Sequence, residues 1–350
     1  MANSFLTNAR KHKADEFYTQ LPDIERELKN YKEQFAGKTV FCNCDDPEYS
    51  NFYYYFVSNY DELGLKKLIS THFESAQASY TLEYGGGADV RGDKEAVIRS
   101  ANRAGTKTAL KQNFEQGAQA ELFEKEPTRS FSGDFRAPEC VELLKQADIV
   151  VTNPPFSLFR EYVEQLMQYE KKFLIIGSLN AITYKEIFRY IKNNKLWLGY
   201  GFQGGNAYFS VSDARDYASG VYNSETGLVK FRNVSWYTNM DIKKRHEDLI
   251  LYKKYAPEEY PKYDNYDTIE VSKLVGIPQD YIGVMGVPIT FLDKYNPEQF
   301  EIIGIDRYVE DNPNYGKRFT LNGKETYARI LIRNRKPVRP KKRAGNSGAV

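Results

Sequence analysis

Short apolar runs alternating with helix-type periodicity limit this fold more than any other feature of the chain. Asp148-Ile-Val-Val-Thr152 and Phe173-Leu-Ile-Ile176 show no polar alternation at their centres. Strands of that kind are covered on both faces, which is the habit of parallel sheets flanked by helices. Thr39-Val-Phe-Cys-Asn43 and Lys67-Leu-Ile-Ser-Thr-His-Phe73 add two more β-type runs. Between them, apolar residues recur at three- and four-residue steps. Phe17, Leu21, Ile24, Leu28, Tyr31 and Phe35 predict a helix over 14–35, stopped by Gly37. Further helices are predicted at 50–63, 139–147, 157–169 and 183–194, and a strand at Leu196–Tyr200. Strand, turn, helix, strand is the βαβ signature. The expected fold class is therefore α/β, a doubly wound, mostly parallel sheet over about residues 36–240.

Two stretches depart from that pattern. Residues 85–130 open on Gly85-Gly86-Gly87, carry few large apolar residues, and are expected to be an insertion outside the core. After Asp241, six prolines from Pro257 to Pro313 punctuate short β-type runs. The expected domains are 1–240, holding the sheet and the insertion, and 241–350, a smaller and more irregular unit.

Charge sharpens the second region. The chain has 49 Lys and Arg against 47 Asp and Glu, a net of +2. Eight of those bases lie from Arg329 onward, where no acid follows, which leaves 41 bases against 47 acids in residues 1–328. A body of net −6 is no bulk polyanion binder, whereas the C-terminal stretch suits one or is simply solvated. No apolar run approaches the roughly 20 residues that span a bilayer. No secretory signal is read at the N-terminus, and three scattered cysteines make no disulfide framework. A cytoplasmic protein without membrane contact is expected. Cys42-x-Cys44, with no second Cys/His pair nearby, is no zinc pattern, so no metal is expected.

The chemistry is concentrated at Asn153-Pro154-Pro155-Phe156, directly after an apolar run. In α/β sheets, ligands sit at the carboxyl ends of the strands. Two prolines fix the loop and supply carbonyls without donors. The side-chain oxygen of Asn153 and the carbonyl of Pro154 can converge on one amino group, and Phe156 offers a flat face to a ring. Such a loop grips a planar group bearing an exocyclic NH2, such as adenine. An aryl amine is a weak nucleophile because its lone pair is delocalised. Two acceptors on its N–H bonds favour a tetrahedral nitrogen and free that pair for attack on a methyl sulfonium, with positioning and electrostatics carrying most of the rate.

The wider sequence resembles a family. Asp15-Glu-Phe-Tyr-Thr-Gln20, Phe41-Cys-Asn-Cys-Asp-Asp-Pro47 with Ser50-Asn-Phe52, Gly133-Asp-Phe-Arg136, Asp148 to Arg160, and Phe173-Leu-Ile-Ile-Gly177 with Asn180 to Phe188 are similar to the EcoRI-type adenine-specific DNA methyltransferases. The resemblance covers about residues 10–240 with specific motifs. It implies a Rossmann-like methyltransferase fold, S-adenosylmethionine as cofactor, and transfer of a methyl group to adenine N6 in duplex DNA. The base would be flipped into the pocket of Asn153, Pro154, Pro155 and Phe156. Tyr18 and Thr19 are similar to the motif over the methionine part of the cofactor. Asp45 or Asp46, with Pro47, matches the cofactor loop, although Glu48, Tyr49, Ser50 and Asn51 stand where the broader pattern has glycines. Glu74 is placed to accept ribose hydroxyls. Asp134 and Phe135 resemble the pair that binds the cofactor's adenine, and Asn153 borders the cofactor as well as the base. Trp236-Tyr237 lies where the family has an aromatic against the target base, or is a core pair.

Residues 241–350 would be the target-recognition region, with Arg333, Arg335, Lys336 and Arg339 on DNA phosphates. The expected partner is double-stranded DNA. The chain would act as a monomer, in a restriction-modification or stand-alone modification role, with any cognate restriction endonuclease acting separately. Two alternatives stay open at this point. The same loop serves RNA adenines and protein glutamines, and a catalytically silent DNA-binding module on this fold would also fit the missing loop glycines.

Overall fold

The computed structural model describes residues 17–44, 50–72, 80–84, 133–210, 220–309 and 315–338. The predicted insertion at 85–130 lies outside the described residues. The chain divides into two compact units, Met1–Ala181 with Leu196–Asp241, and Ile182–Lys195 with Ile242–Val350. No described helix is long and apolar enough to cross a membrane.

The first unit begins with strand β1 (Tyr18–Thr19) and helix α1 (Leu21–Leu28). One helix over 14–35 is therefore not what forms. Pro22 is tolerated only in a first turn, because deeper in a helix it removes a backbone donor and clashes one turn back. The residues before it are released to extend. Strand β2 (Thr39–Cys42) is buried along its length. Helices α2 (Asn51–Ser58) and α3 (Tyr60–Leu63) follow, the first capped by Ser50, whose hydroxyl accepts from the Phe52 and Tyr53 amides at 3.2 and 3.4 Å. Then come β3 (Lys67–His72), β4 (Tyr80–Tyr84), α4 (Pro138–Gln146), β5 (Ile149–Thr152), α5 (Phe159–Gln168) and β6 (Lys172–Ser178). Strands β7 (Trp197–Leu198), β8 (Ala207–Ser210), β9 (Tyr222–Asn223), β10 (Leu228–Phe231) and β11 (Val234–Thr238) complete the unit.

Seven of these strands form one sheet in the spatial order β4-β3-β2-β5-β6-β11-β7. The central four, β3, β2, β5 and β6, are parallel, with Val40 opposite Ile149 and Val150 opposite Phe173. β4, β11 and β7 each run antiparallel to their inner neighbour. Val40, Phe41, Val150, Val151, Leu174 and Ile175 are fully buried, as strands without polar alternation require. From β2 the chain passes to β3 on one side, while β5 and β6 fill the other. The carboxyl ends of β2 and β5 thus lie side by side at the point where strand order reverses. A second sheet of this unit, order β1-β8-β10-β9, is antiparallel throughout.

The second unit holds α6 (Lys185–Lys192), β12 (Ile269–Glu270), β13 (Val284–Pro288), β14 (Phe300–Ile305), β15 (Thr320–Leu321), β16 (Lys324–Glu325) and β17 (Arg329–Asn334). A four-stranded sheet of order β12-β13-β17-β14 is its core, more regular than the proline-rich sequence suggests. Met285, Phe300, Ile330, Leu331 and Ile332 are buried in it. β15 and β16 are joined by Asn322 and Gly323 at φ 52 and 74, the Asn-Gly turn that matches strand twist.

Candidate active site

The carboxyl edge of the large sheet is built from polar residues immediately after β2 and β5. Asn43 is buried behind β2, and its side-chain oxygen accepts from the Thr71 hydroxyl at 2.8 Å and the Cys44 amide at 2.9 Å. Its carbonyl accepts from the hydroxyl of Thr152 at the end of β5. Cys44 takes a left-handed φ of 64, which turns the chain sharply off the strand. The two strand ends are thereby tied together where their loops begin.

Asn153 is the next residue, 9% exposed. Its side-chain NH2 donates to the carbonyl of Phe17 at 2.6 Å. A carbonyl can only accept, so this bond fixes which way the amide faces. The Asn153 side-chain oxygen is left buried without a hydrogen-bond partner. Leaving such an acceptor unpaired costs about 1–3 kcal/mol, and at a strand end it is an acceptor open to a ligand or a water. The hydroxyl of buried Thr19 is unpaired in the same way. In the following turn the Pro155 carbonyl accepts from the Leu158 amide at 3.0 Å, so that carbonyl is used within the loop itself.

Residues 17–20 are strapped across this edge. Asn51 donates from its side chain to the Thr19 carbonyl at 2.6 Å, and Gln20 donates to the Ser210 hydroxyl at 2.8 Å. The ring of Phe17 packs among Phe156, Phe209 and Phe231, with centroids 6.1, 6.0 and 4.9 Å away. Phe156 is only half-buried and stands nearly perpendicular to Phe231 at 6.2 Å. It therefore has a braced ring with part of its surface open. The approach to β8 is held by buried Glu27, which accepts from the Tyr31 hydroxyl at 2.8 Å and from the Tyr200 and Gly201 amides at 2.8 and 3.0 Å. Burial, with Glu27 beside it, pushes the Tyr31 hydroxyl far up. A Cβ on Gly199 would lie 2.2 Å from the Glu27 carboxylate, so no larger residue fits there.

Asp134 and Phe135 precede α4. Both Asp134 oxygens take Arg136, from Nε at 2.9 Å and Nη2 at 2.7 Å, and this guanidinium holds the carboxyl below its usual range. Phe135 is buried, edge-on to Tyr162 at 4.9 Å, with the Arg136 guanidinium 5.3 Å from its ring centroid. Asp45, Asp46, Pro47 and Glu74 lie outside the described residues. Trp236 and Tyr237 are fully buried core residues, Trp236 stacked on Phe202 at 5.7 Å and Tyr237 donating to the Ser178 carbonyl at 2.8 Å. Neither has a face open to a base. In the second unit, Arg333 of β17 pairs with Glu301 at 3.2 Å and Lys336 with Asp248 at 3.0 Å. Arg335 is exposed beside them, and Arg339 lies outside the described residues.

Sequence reasoning missed Phe17, Asn43, Asn51 and Phe231. Asn43 carried a usable signal, a polar residue at the end of an apolar run. Phe17 did not, because helical spacing absorbed it, and what it gives the site is a backbone carbonyl.

The family profile described as adenine-specific methyltransferase EcoRI matches residues 5–335. The chain is 45% identical to the type II methyltransferase M.EcoRI of Escherichia coli, across 95% of this chain and 97% of that protein. It is 38% identical to the type II methyltransferase M.MgeORF184P of Mycoplasma genitalium (93% and 97% covered), and 35% identical to the type II methyltransferase M.MpnI of Mycoplasma pneumoniae (95% and 99% covered). No solved structure matches the chain. A match over nearly the whole length, joined to a polar strand edge that ends in Asn-Pro-Pro-Phe, makes this chain a member of the EcoRI-type adenine-specific DNA methyltransferases.

Proposed function

We propose that this protein transfers a methyl group from S-adenosylmethionine to the N6 amino group of adenine in duplex DNA, with the base turned out of the stack into the pocket at Asn153–Phe156. The observation that carries this reading is the buried, unpaired side-chain oxygen of Asn153 at the end of β5. One amino N–H would bond to that oxygen, and the second to the Pro154 carbonyl. Phe156, braced by Phe17 and Phe231, would support the ring. The Phe17 carbonyl keeps the Asn153 amide from rotating, so its acceptor is in place before the base arrives. The sheet serves as a doubly wound, Rossmann-like platform in this reading, with the site where strand order reverses.

The residues present suit the cofactor. Thr19 offers a buried, unpaired hydroxyl on the segment strapped over the strand ends, with Tyr18 beside it. Asp134 is the carboxylate proposed to meet the cofactor's adenine amino group, with Phe135 following it in the chain and Tyr162 edge-on to that ring. Asp45, Asp46, Pro47 and Glu74 complete the proposed cofactor set. When bound, S-adenosylmethionine supplies a methyl group activated on a sulfonium. The protein's own part is to orient the amine, hold its two protons on acceptors, and exclude water from the buried edge.

We also propose that the second unit recognises the DNA target, with Arg333, Arg335, Lys336 and Arg339 on phosphates. The protein would work as a monomer that modifies sites also read by a separately acting nuclease. Methyl transfer to duplex DNA, with sequencing of the methylated positions, tests the function. Asn153→Ala should abolish transfer while cofactor binding by calorimetry persists. Near-normal turnover in that variant would refute the site.

A further inference from the structure

Four exposed apolar side chains of the second unit lie on one narrow ribbon, while Tyr184, Val275, Tyr315 and Tyr327 are exposed outside it. The Lys253 carbonyl accepts from the Gln279 amide at 2.9 Å, and the Gln279 carbonyl accepts from the Val338 amide at 2.8 Å. Lys253 and Pro278 form a parallel bridge. Residues 250–254, 277–282 and 334–338 therefore run side by side. On them Ile250 is 70% exposed, Tyr252 78%, Ile282 74% and Val338 56%. A single exposed apolar residue needs no explanation, but four on three adjacent strips of chain do. The ribbon is also stiff. Tyr255 packs on Tyr281 at 4.5 Å, and its amide donates to the Asp280 carboxylate at 2.8 Å.

Charge decides the occupant. The three strips contain Lys253, Lys254, Arg335 and Lys336 and one acid, Asp280, whose carboxylate accepts from the Tyr255 amide. Lys253 reaches Glu259 only at 3.9 Å, and Lys336 is matched by Asp248. Lys254 and Arg335 have no carboxylate within ion-pair distance among the described residues. The core of a protein–protein interface is poor in lysine. Proteins that seat apolar side chains in a DNA groove surround them with lysine and arginine on the phosphates. The mixture found here is of the second kind.

We infer that this ribbon is the duplex-contacting face of the second unit, with Ile250 and Tyr252 seated in a groove of double-stranded DNA and Lys254 and Arg335 on its phosphates. The inference rests on the reading of the chain as an enzyme of duplex DNA, and it adds an apolar element that charge alone does not locate. All four side chains project into solvent, so their replacement leaves the fold intact.

The test uses the full chain, a short fluorescent duplex and anisotropy titrations at several salt concentrations. Lys254→Ala with Arg335→Ala should weaken binding about tenfold and flatten the slope of log affinity against log salt by about two. Ile250→Ser with Tyr252→Ser should weaken binding by a similar factor, with the slope unchanged, because no phosphate contact is lost. Equal affinity of both double variants and the parent would overturn the inference, as would a steeper loss on single-stranded DNA than on duplex. If the parent itself shows no salt-dependent affinity for duplex DNA, it is the underlying reading that fails.

Discussion

Glu270 of β12 and Asn153 after β5 are both buried polar residues at strand ends, and their surroundings differ. Glu270 accepts from Arg329 through Nε at 3.0 Å and Nη2 at 2.7 Å, and from the Tyr263 hydroxyl. Its lone pairs are used. Asn153 is held from one side by the Phe17 carbonyl and keeps an oxygen with no partner, as does Thr19 close by in sequence to Phe17. A saturated buried network rigidifies a unit and has nothing left to offer a ligand, while an open one carries a standing cost. On that contrast the first unit's strand edge is the place of chemistry in the proposed reading, and the Glu270 cluster is a structural pin.

The contrast can be broken at either end. The largest stability loss is expected from Arg329→Met, which leaves the Glu270 carboxylate buried and uncompensated at a cost of about 3–5 kcal/mol. Denaturant melts should show it, while methyl transfer per folded molecule stays near the parent's. Lost turnover in the folded fraction would place that cluster in the function after all. Phe156→Ala should cost about 1–3 kcal/mol of base stacking, read as a drop in kcat/KM with little change in melting temperature. Thr19→Val is a finer probe. If the hydroxyl is idle, the near-isosteric valine should be neutral or slightly stabilising, and cofactor affinity should hold. If it meets the cofactor, affinity should fall by roughly one neutral hydrogen bond, about 1 kcal/mol.

The smallest expected effect is one of pH. Arg136 holds the Asp134 carboxyl below its usual range. The stability this gives is present above the unfolded-state value and is lost as pH falls through the folded one. Arg136→Ala should therefore melt below the parent at neutral pH, and the gap should close in acid. A gap independent of pH would mean that Arg136 acts by packing on Phe135 instead.

Some of this was legible in the residues. Apolar runs without alternation marked β2, β5 and β6, because burial on both faces leaves no room for a polar residue. Asn-Pro-Pro-Phe announced a rigid loop after a strand. The helical reading of 14–35 was wrong at both ends: periodicity does not register what Pro22 forbids behind it, and the helix stops at Leu28, with only a 3-10 turn at Lys32–Gln34 beyond. The segment it misread became β1, which pairs with β8 at Tyr18–Ser210, a partner nearly two hundred residues away. The second unit's sheet was hidden for a related reason. Its strands are short and separated by prolines, and only pairing across distant segments makes them a sheet.

By itself the sequence determined the four parallel strands at the centre of the large sheet and the family, and it pointed to the Asn153 loop. Those follow from local composition and from motifs that are contiguous in the chain. Only the tertiary structure decided that Phe17 orients Asn153, that Trp236 and Tyr237 are core, that residues 182–195 go with the second unit, and that exposed side chains from three separate segments share one ribbon. Each depends on backbone groups meeting across long loops, and every residue carries the same donor and acceptor on its backbone, so the one-dimensional pattern cannot say which will meet.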